Sequence, residues 1–250
     1  MDRVQSRFAA QLETLGLTLT PVKAEQFEAY FRLLVEWNEK MNLTAITGRE
    51  AVYEKHFYDS LTVASAVPLT GPQRLADIGS GAGFPSVPLK IMFPALRVTI
   101  VDALAKRIRF LTEVVRTLGL TDVECLHARA EDAARMADQR DRHDVATARA
   151  VARLAALNEL CLPFVRAGGM FVAMKGSDIA EELEESRYGA RLLNARLKDV
   201  RRLALPEGGA VRHLILWEKT GPTPAKYPRK AGVPARSPLL PPSAGRPAPS

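Results

Sequence analysis

Nine consecutive residues, Asp77-Ile-Gly79-Ser-Gly81-Ala-Gly83-Phe84-Pro85, place three glycines at alternate positions after an apolar run. A turn of this kind between a strand and a helix lets backbone approach a ligand closely and aims helix N–H groups at it. The dinucleotide fingerprint needs glycines at offsets 0, 2 and 5, and counted from Gly79 the third position is Phe84, a side chain where the helix must come close. No Gly-Lys-Ser/Thr follows, so a phosphate-gripping nucleotide loop is excluded as well. Nineteen residues after Gly83, the run Val98-Thr-Ile-Val101 ends in Asp102. A carboxylate there is placed to bind ribose hydroxyls; its other reading is an N-cap for the helix around Lys106.

The pattern Asp-x-Gly-x-Gly-x-Gly resembles the first-strand motif of class I S-adenosylmethionine-dependent methyltransferases. The resemblance implies glycines that make room for a ligand without phosphates, and an Asp77 that holds its cationic amino-acid end directly or through water. After the third apolar run, Ala130-Glu131 would flank an adenine ring, although Glu131 also suits the first turn of the next helix. The fourth run ends Ala148-Arg149-Ala150, where methyltransferases of exocyclic amines carry an Asn- or Asp-Pro-Pro-aromatic motif. Its absence argues against an amine acceptor, and Arg149 suits stacking on or hydrogen-bonding an electron-rich base or phosphate.

The elements that must position these residues change character along the chain. Residues 1–70 read as a helical subdomain: Thr20-Pro21 caps a helix with Phe27, Phe31, Leu34 and Met41 on one face, and Thr47-Gly-Arg-Glu50 reads as a capping box for a second stretch reaching about Ala66. Within it His56, Asp59 and Ser60 share a face, which predicts a buried polar cluster pinning that subdomain to its neighbour. From 71 to 219, apolar runs alternate with amphipathic stretches, predicting an α/β core with a mostly parallel sheet. Two final runs joined by Pro206-Glu-Gly-Gly209 predict an antiparallel C-terminal hairpin.

Charge divides the chain differently. Of a net +7, residues 220–250 supply five cations and no acid, together with nine of the 17 prolines. Such a segment builds no core of its own and reads as extended. Leu240 to Ser250 reads as a solvated end, whereas Lys226-Tyr-Pro-Arg229-Lys230 interleaves cations and an aromatic ring in a way that suits RNA. No apolar run approaches the ~20 residues of a membrane span and no signal core opens the chain, so a cytoplasmic protein with no membrane partner is expected. The two cysteines, Cys125 and Cys161, lack metal-ligand spacing, and no metal is expected.

Seven motifs in order, Trp37-Asn38, Asn42-Leu-Thr44, His56-Phe-Tyr-Asp59-Ser60, the glycine turn, Arg149-Ala, Lys175-Gly176 and Arg212-His213-Leu, resemble the bacterial 16S rRNA (guanine-N7)-methyltransferase family, formerly called glucose-inhibited division protein B. The resemblance covers about Trp37 to Leu239, with Ser86 and Tyr58 standing where the family usually has Gly and an aliphatic residue. It implies S-adenosyl-L-methionine as cofactor, held by Asp77, Gly79, Gly81, Phe84, Asp102, Ala103, Leu104, Ala130, Glu131 and Arg149. It implies 16S rRNA in the small ribosomal subunit as partner, with Arg149 and Lys175 orienting the guanine and Lys175, Arg212, His213, Lys226, Arg229 and Lys230 contacting RNA. A monomer is expected. Guanine N7 has a free in-plane lone pair and no proton, so alignment is required and a general base is not. Methyl transfer to another substrate, or an RNA-binding assembly factor without activity, are the alternatives.

Overall fold

The computed structural model describes residues 1–149, 151–176 and 178–242. Seven strands, β1 (Arg74–Ile78), β2 (Arg97–Asp102), β3 (Val123–His127), β4 (His143–Arg149), β5 (Val165–Lys175), β6 (Ala195–Ala204) and β7 (Val211–Lys219), form one sheet in the order β3-β2-β1-β4-β5-β7-β6. Pairings among β1 to β5 are parallel, while β7 enters antiparallel between β5 and β6. The expected hairpin is therefore present. The chain works outward from β1 to β3 and then returns to β4, so strand order reverses between β1 and β4, and a crevice opens at their carboxyl ends, where open α/β sheets bind ligands.

Both sheet faces are covered, which is why the central strands read as continuous apolar runs. On one face Leu75, Val98, Val145 and Leu214 share an apolar cluster with Phe8, Phe27, Tyr30 and Phe57, so the N-terminal helices Arg3–Glu13 and Pro21–Met41 form the cover of that face. The other face packs Phe171, Ile215 and Trp217 against the helices Leu154–Cys161 and Ala180–Leu192. Thr20 caps its helix, its Oγ1 accepting from the Lys23 N–H at 3.4 Å. The Thr47–Glu50 capping box does not form: Gly48 occupies the N-cap, one residue too late for Thr47. A capping box closes the first helix instead, between Asp2 and Gln5.

The helical run after Arg49 is not uniform. Arg49–Val52 passes into a π-helix, Tyr53–Tyr58, followed by short turns at Asp59–Leu61 and Val63–Ala66. Such wide turns often mark functional positions, and this one carries His56. Tyr58 sets its hydroxyl 3.3 Å from Thr14 Oγ1, tying the run to the first helix.

The proline-rich segment behaves differently from its composition. Thr223, Tyr227, Pro228 and Pro234 are buried, and Arg140 donates to the carbonyls of Thr223 at 2.9 Å and Tyr227 at 2.8 Å. Proline removes N–H groups but leaves carbonyls, so a chain without a core of its own can still dock where arginines wait for acceptors. The solvated end read for Leu240–Ser250 lies outside the described residues from 243 onward, as does Arg246. Among the described residues, no helix is long and apolar enough to cross a membrane.

Candidate active site

The glycine turn follows β1, and its three glycines have three different duties. All have positive φ: 69° at Gly79, 63° at Gly81 and 97° at Gly83. A Cβ on Gly81 would meet no protein atom within 4 Å, one on Gly79 would meet Val151 Cγ2 at 2.8 Å, and one on Gly83 would strike the Tyr30 hydroxyl at 2.6 Å. Gly81 therefore leaves room in the cleft, Gly79 admits the chain leaving β4, and Gly83 admits the N-terminal helix.

Asp77 does not reach the cleft. It is fully buried, and its carboxylate accepts from the Ser80 and Ser86 hydroxyls at 2.6 Å each and from Thr147 Oγ1 at 3.1 Å. Burial pushes its pKa up, against those hydrogen bonds. The expectation of a direct grip on a cationic ligand is corrected: Asp77 braces the turn from behind. Ser86 supplies one of those braces, also donating its N–H at 3.2 Å.

A cleft of ≈ 490 Å³ lies in front of the turn, lined by Gly79, Gly81, Phe84, Asp102, Ala103, Leu104, Arg107, Arg149 and Val151 among others. Asp102 Oδ2 accepts from the Gly81 N–H at 3.1 Å and from Arg107 at 3.3 Å, and Oδ1 accepts from the Leu104 N–H at 2.9 Å. It thus fastens the glycine turn to the end of β2. It does not cap the following helix, which begins after Leu104. Gly79, Asp102, Ala103 and Val151 also line an adjoining hollow of ≈ 200 Å³ with Ala130 and Glu131. Two deep carboxylates, Asp102 and Glu131, a glycine leaving space and no phosphate loop suit a nucleoside joined to an amino acid, the chemistry of S-adenosylmethionine.

At the other end the cleft meets a second hollow of ≈ 300 Å³, lined by Ile46, Lys55, His56, Asp59, Arg149, Met174, Lys175, Gly176 and Arg212. His56 and Arg149 border both. The His56 ring stacks on Phe84 with centroids 4.6 Å apart, and the Arg149 guanidinium lies 4.8 Å from the same ring centre. Arg149 also bonds Asp59 Oδ2 at 3.0 Å, the Lys55 carbonyl at 3.2 Å and His56 Nδ1 at 3.3 Å. Nδ1 also lies 3.1 Å from the Lys55 carbonyl and Nε2 lies 2.9 Å from Thr44 Oγ1, so both ring nitrogens have protein partners. Burial first, then the Arg149 cation, hold His56 at a pKa of about 3, so the ring is neutral. Asn38 in turn accepts from the Thr44 N–H at 2.8 Å, which explains why the Asn38 and Thr44 motifs accompany His56.

The other expected contacts divide. Arg212 reaches Asp59 Oδ1 at 3.3 Å on the hollow's rim. His213 donates from Nδ1 to the Gly176 carbonyl at 2.7 Å, closing the ends of β5 and β7. Lys175 lines the hollow, but its ammonium is engaged by Glu182 at 2.7 Å and the Ala152 carbonyl at 2.9 Å, so it braces the wall instead of presenting a free cation to a base. Lys226 and Lys230 are exposed. Arg229 is turned inward, where its guanidinium grips fully buried Glu159 at 2.6–3.0 Å. Ala150 lies outside the described residues. Sequence reasoning missed Arg107, the role of the His56–Asp59 cluster as a wall of the cleft, and two tail residues, Gly232 and Ala235, that line the smaller hollow. Among the described residues, no His, Cys, Asp or Glu group is arranged to hold a metal.

Geranyl diphosphate C-methyltransferase from Streptomyces coelicolor, solved with S-adenosyl-L-homocysteine, superposes with a TM-score of 0.51 at 16% identity over 64% of this chain and 78% of its own, a likeness of fold. Much nearer in sequence are the ribosomal RNA small subunit methyltransferase G of Staphylococcus carnosus, 51% identical over 92% of this chain and 96% of its own, and that of Brevibacillus brevis, 50% identical over 94% and 99%. The family model for rRNA small subunit methyltransferase G matches residues 23–214, a span that holds the glycine turn, the His56–Arg149 junction and Arg212, and the chain belongs to that family.

Proposed function

We propose that the protein transfers a methyl group from S-adenosyl-L-methionine to N7 of a guanine in the 16S rRNA of the small ribosomal subunit. What supports this most is the junction itself: a cleft suited to a nucleoside and a cationic hollow share one wall, the His56–Arg149 pair on Phe84. S-Adenosylmethionine supplies a methyl group on a cationic sulfur, which a neutral ring nitrogen can accept. Gly81 leaves the space for it, Asp102 offers the carboxylate for ribose hydroxyls, and Ala130 and Glu131 border the adenine end.

The acceptor side is built to orient a base and not to take its proton. Neutral His56 has both ring nitrogens engaged, and Arg149 has donors for the O6 edge of guanine while N7 stays free to react. Arg212 and Lys55 stand on the rim where phosphates of a splayed nucleotide would pass. Closing RNA over the hollow excludes water from the reacting atoms. Both cavities are made by one chain, so a monomer suffices, working where ribosomal subunits are assembled in the cytoplasm.

The test uses small subunits purified from cells lacking the protein, incubated with it and a methyl-labelled donor. Label recovered as 7-methylguanosine from 16S rRNA is expected. Label in another nucleoside, or tight subunit binding without label, overturns the proposal, and the second outcome would leave a non-catalytic assembly factor.

A further inference from the structure

The segment after β7 does more than dock. Its first anchor is Lys219, fully buried, whose ammonium bonds Asp141 Oδ1 at 2.8 Å and Thr223 Oγ1 at 2.6 Å. Arg140 and Arg135 then hold the carbonyls of Tyr227 and Pro228, and Arg229 closes on Glu159. Those partners all belong to the chain between β3 and β5, the side of the fold on which the adenine-end hollow sits. The segment next turns at Gly232, whose φ of 80° favours glycine, and its N–H donates to Glu131 Oε1 at 2.6 Å. Gly232 and Ala235 thereby line the hollow together with Ile78, Val101 and Leu160.

Resting on the cofactor reading above, we infer that residues 226–237 are a structural wall of the cofactor site, so that docking of this segment and cofactor binding are thermodynamically linked. The argument is one of geometry and mass action. Glu131 borders the hollow and is held by the tail's backbone, so releasing the tail removes one side of the hollow and frees that carboxylate together. A ligand that fills the hollow binds the docked form better and shifts the tail toward it; equally, a docked tail raises ligand affinity by the same factor. The tail's cations therefore fall into two classes. Arg229 holds the strap shut, while Lys226, Lys230 and Arg236 stay exposed.

Two measurements on the full chain, with S-adenosylhomocysteine as probe, test this. Trypsin cleaves after Lys230 and Arg236 only when the strap opens, and ligand at about 100 times its Kd should slow those cuts by at least tenfold while leaving cleavage at exposed Lys40 unchanged. In the second, Ala235→Trp places a large ring at the mouth of the hollow from an exposed position, and should weaken the Kd by at least tenfold in calorimetry with little change in Tm. Ligand-independent cleavage at Lys230 overturns the linkage, and an unchanged Kd in the variant overturns the wall. Should Ala235→Trp lower Tm strongly, the protease arm on the unaltered protein decides alone. If the unaltered protein binds no S-adenosylhomocysteine, the cofactor reading itself fails, an outcome distinct from binding that ignores the tail.

Discussion

Two buried carboxylates of this chain, Glu159 and Asp59, are met by arginines, and the two meetings could hardly be more different. At Glu159 every acceptor is filled: Oε1 takes the Arg229 N–H at 2.7 Å and Nε at 3.0 Å, and Oε2 takes Nε at 3.0 Å and Nη2 at 2.6 Å. One cation matches one anion, and the pair joins the tail to a core helix. At Asp59 two arginines share one carboxylate, Arg149 at 3.0 Å and Arg212 at 3.3 Å, and Oδ1 finds no well-formed hydrogen bond. Positive charge is left over there, on the wall of a hollow. A saturated pair holds structure together, whereas an unsaturated one keeps donor capacity for something that arrives.

Breaking the saturated pair should have the largest effect. Arg229→Met leaves the Glu159 carboxylate buried without its cation, and unfolding free energy should fall by about 3–5 kcal/mol. The double variant Arg229→Met with Glu159→Met should recover most of that loss, because an apolar pair of similar volume needs no desolvation of charge. Denaturant titrations of both variants check this. Failure of the double variant to recover would mean that the tail needs the ion pair for specific geometry and not merely for neutrality.

Breaking the unsaturated pair should move activity and spare stability. Arg149→Ala is expected to lower kcat/KM on small subunits by about 100-fold, roughly 2.7 kcal/mol, with Tm shifting by only a few degrees. Arg149→Lys should not restore turnover, since a lysine lacks the planar fork that stacks on Phe84 and bonds Asp59 together. A Tm loss matching that of Arg229→Met would make Arg149 structural and erase the contrast.

The neutral histidine at the unsaturated pair gives a smaller, pH-dependent signal. In the unfolded chain His56 takes up a proton near pH 6.5, whereas in the folded protein burial and Arg149 delay that to about pH 3. Its contribution is therefore complete above pH 6.5 and is lost as pH falls from there toward 3, by up to about 1.4 kcal/mol per pH unit. His56→Phe, which keeps a ring against Phe84, should flatten the slope of stability against pH by that amount. His143, held at about 4 chiefly by burial, adds a similar slope that persists in the variant. An unaltered slope would mean that His56 takes up its proton as readily in the folded protein as in the unfolded chain, against the burial and the Arg149 cation that hold it neutral.

How much of this was legible in sequence follows the same division. The sheet, the glycine turn and the hairpin were readable because they depend on local apolar periodicity and on backbone that only glycine adopts readily. Asp102 was readable as a cleft residue from its distance to the turn. Asp77 was misplaced because spacing tells which residue precedes a turn but not which way its side chain faces, and three hydroxyls from Ser80, Ser86 and Thr147 claim it from behind. Ser86, noticeable as a departure from the family, became intelligible only as one of those three. Arg229 was misread because Glu159 lies 70 residues away in the chain, and composition records cations without their partners. For the same reason the His56–Asp59 cluster was readable as buried and polar but not as the wall between two cavities.

The smallest effect concerns the cations that have no such partner among the described residues. Lys226 and Lys230 are exposed on the strap itself, and the ammonium of Lys226 lies 5.3 Å from the Tyr227 ring centre. If they contact rRNA phosphates, replacing both with alanine should leave Tm unchanged and weaken subunit binding only modestly at physiological salt. The slope of log Kd against log salt should nevertheless fall by up to about two units, since each lost phosphate contact removes roughly one released counterion. Arg229→Met offers the control: its guanidinium is already spent on Glu159, so at a temperature where that variant is still folded, any change in its slope must come from a displaced strap. Equal slopes for the unaltered protein and the Lys226/Lys230 variant would confine RNA recognition to the hollow at Arg149 and Arg212, and leave the tail with the cofactor site as its one duty.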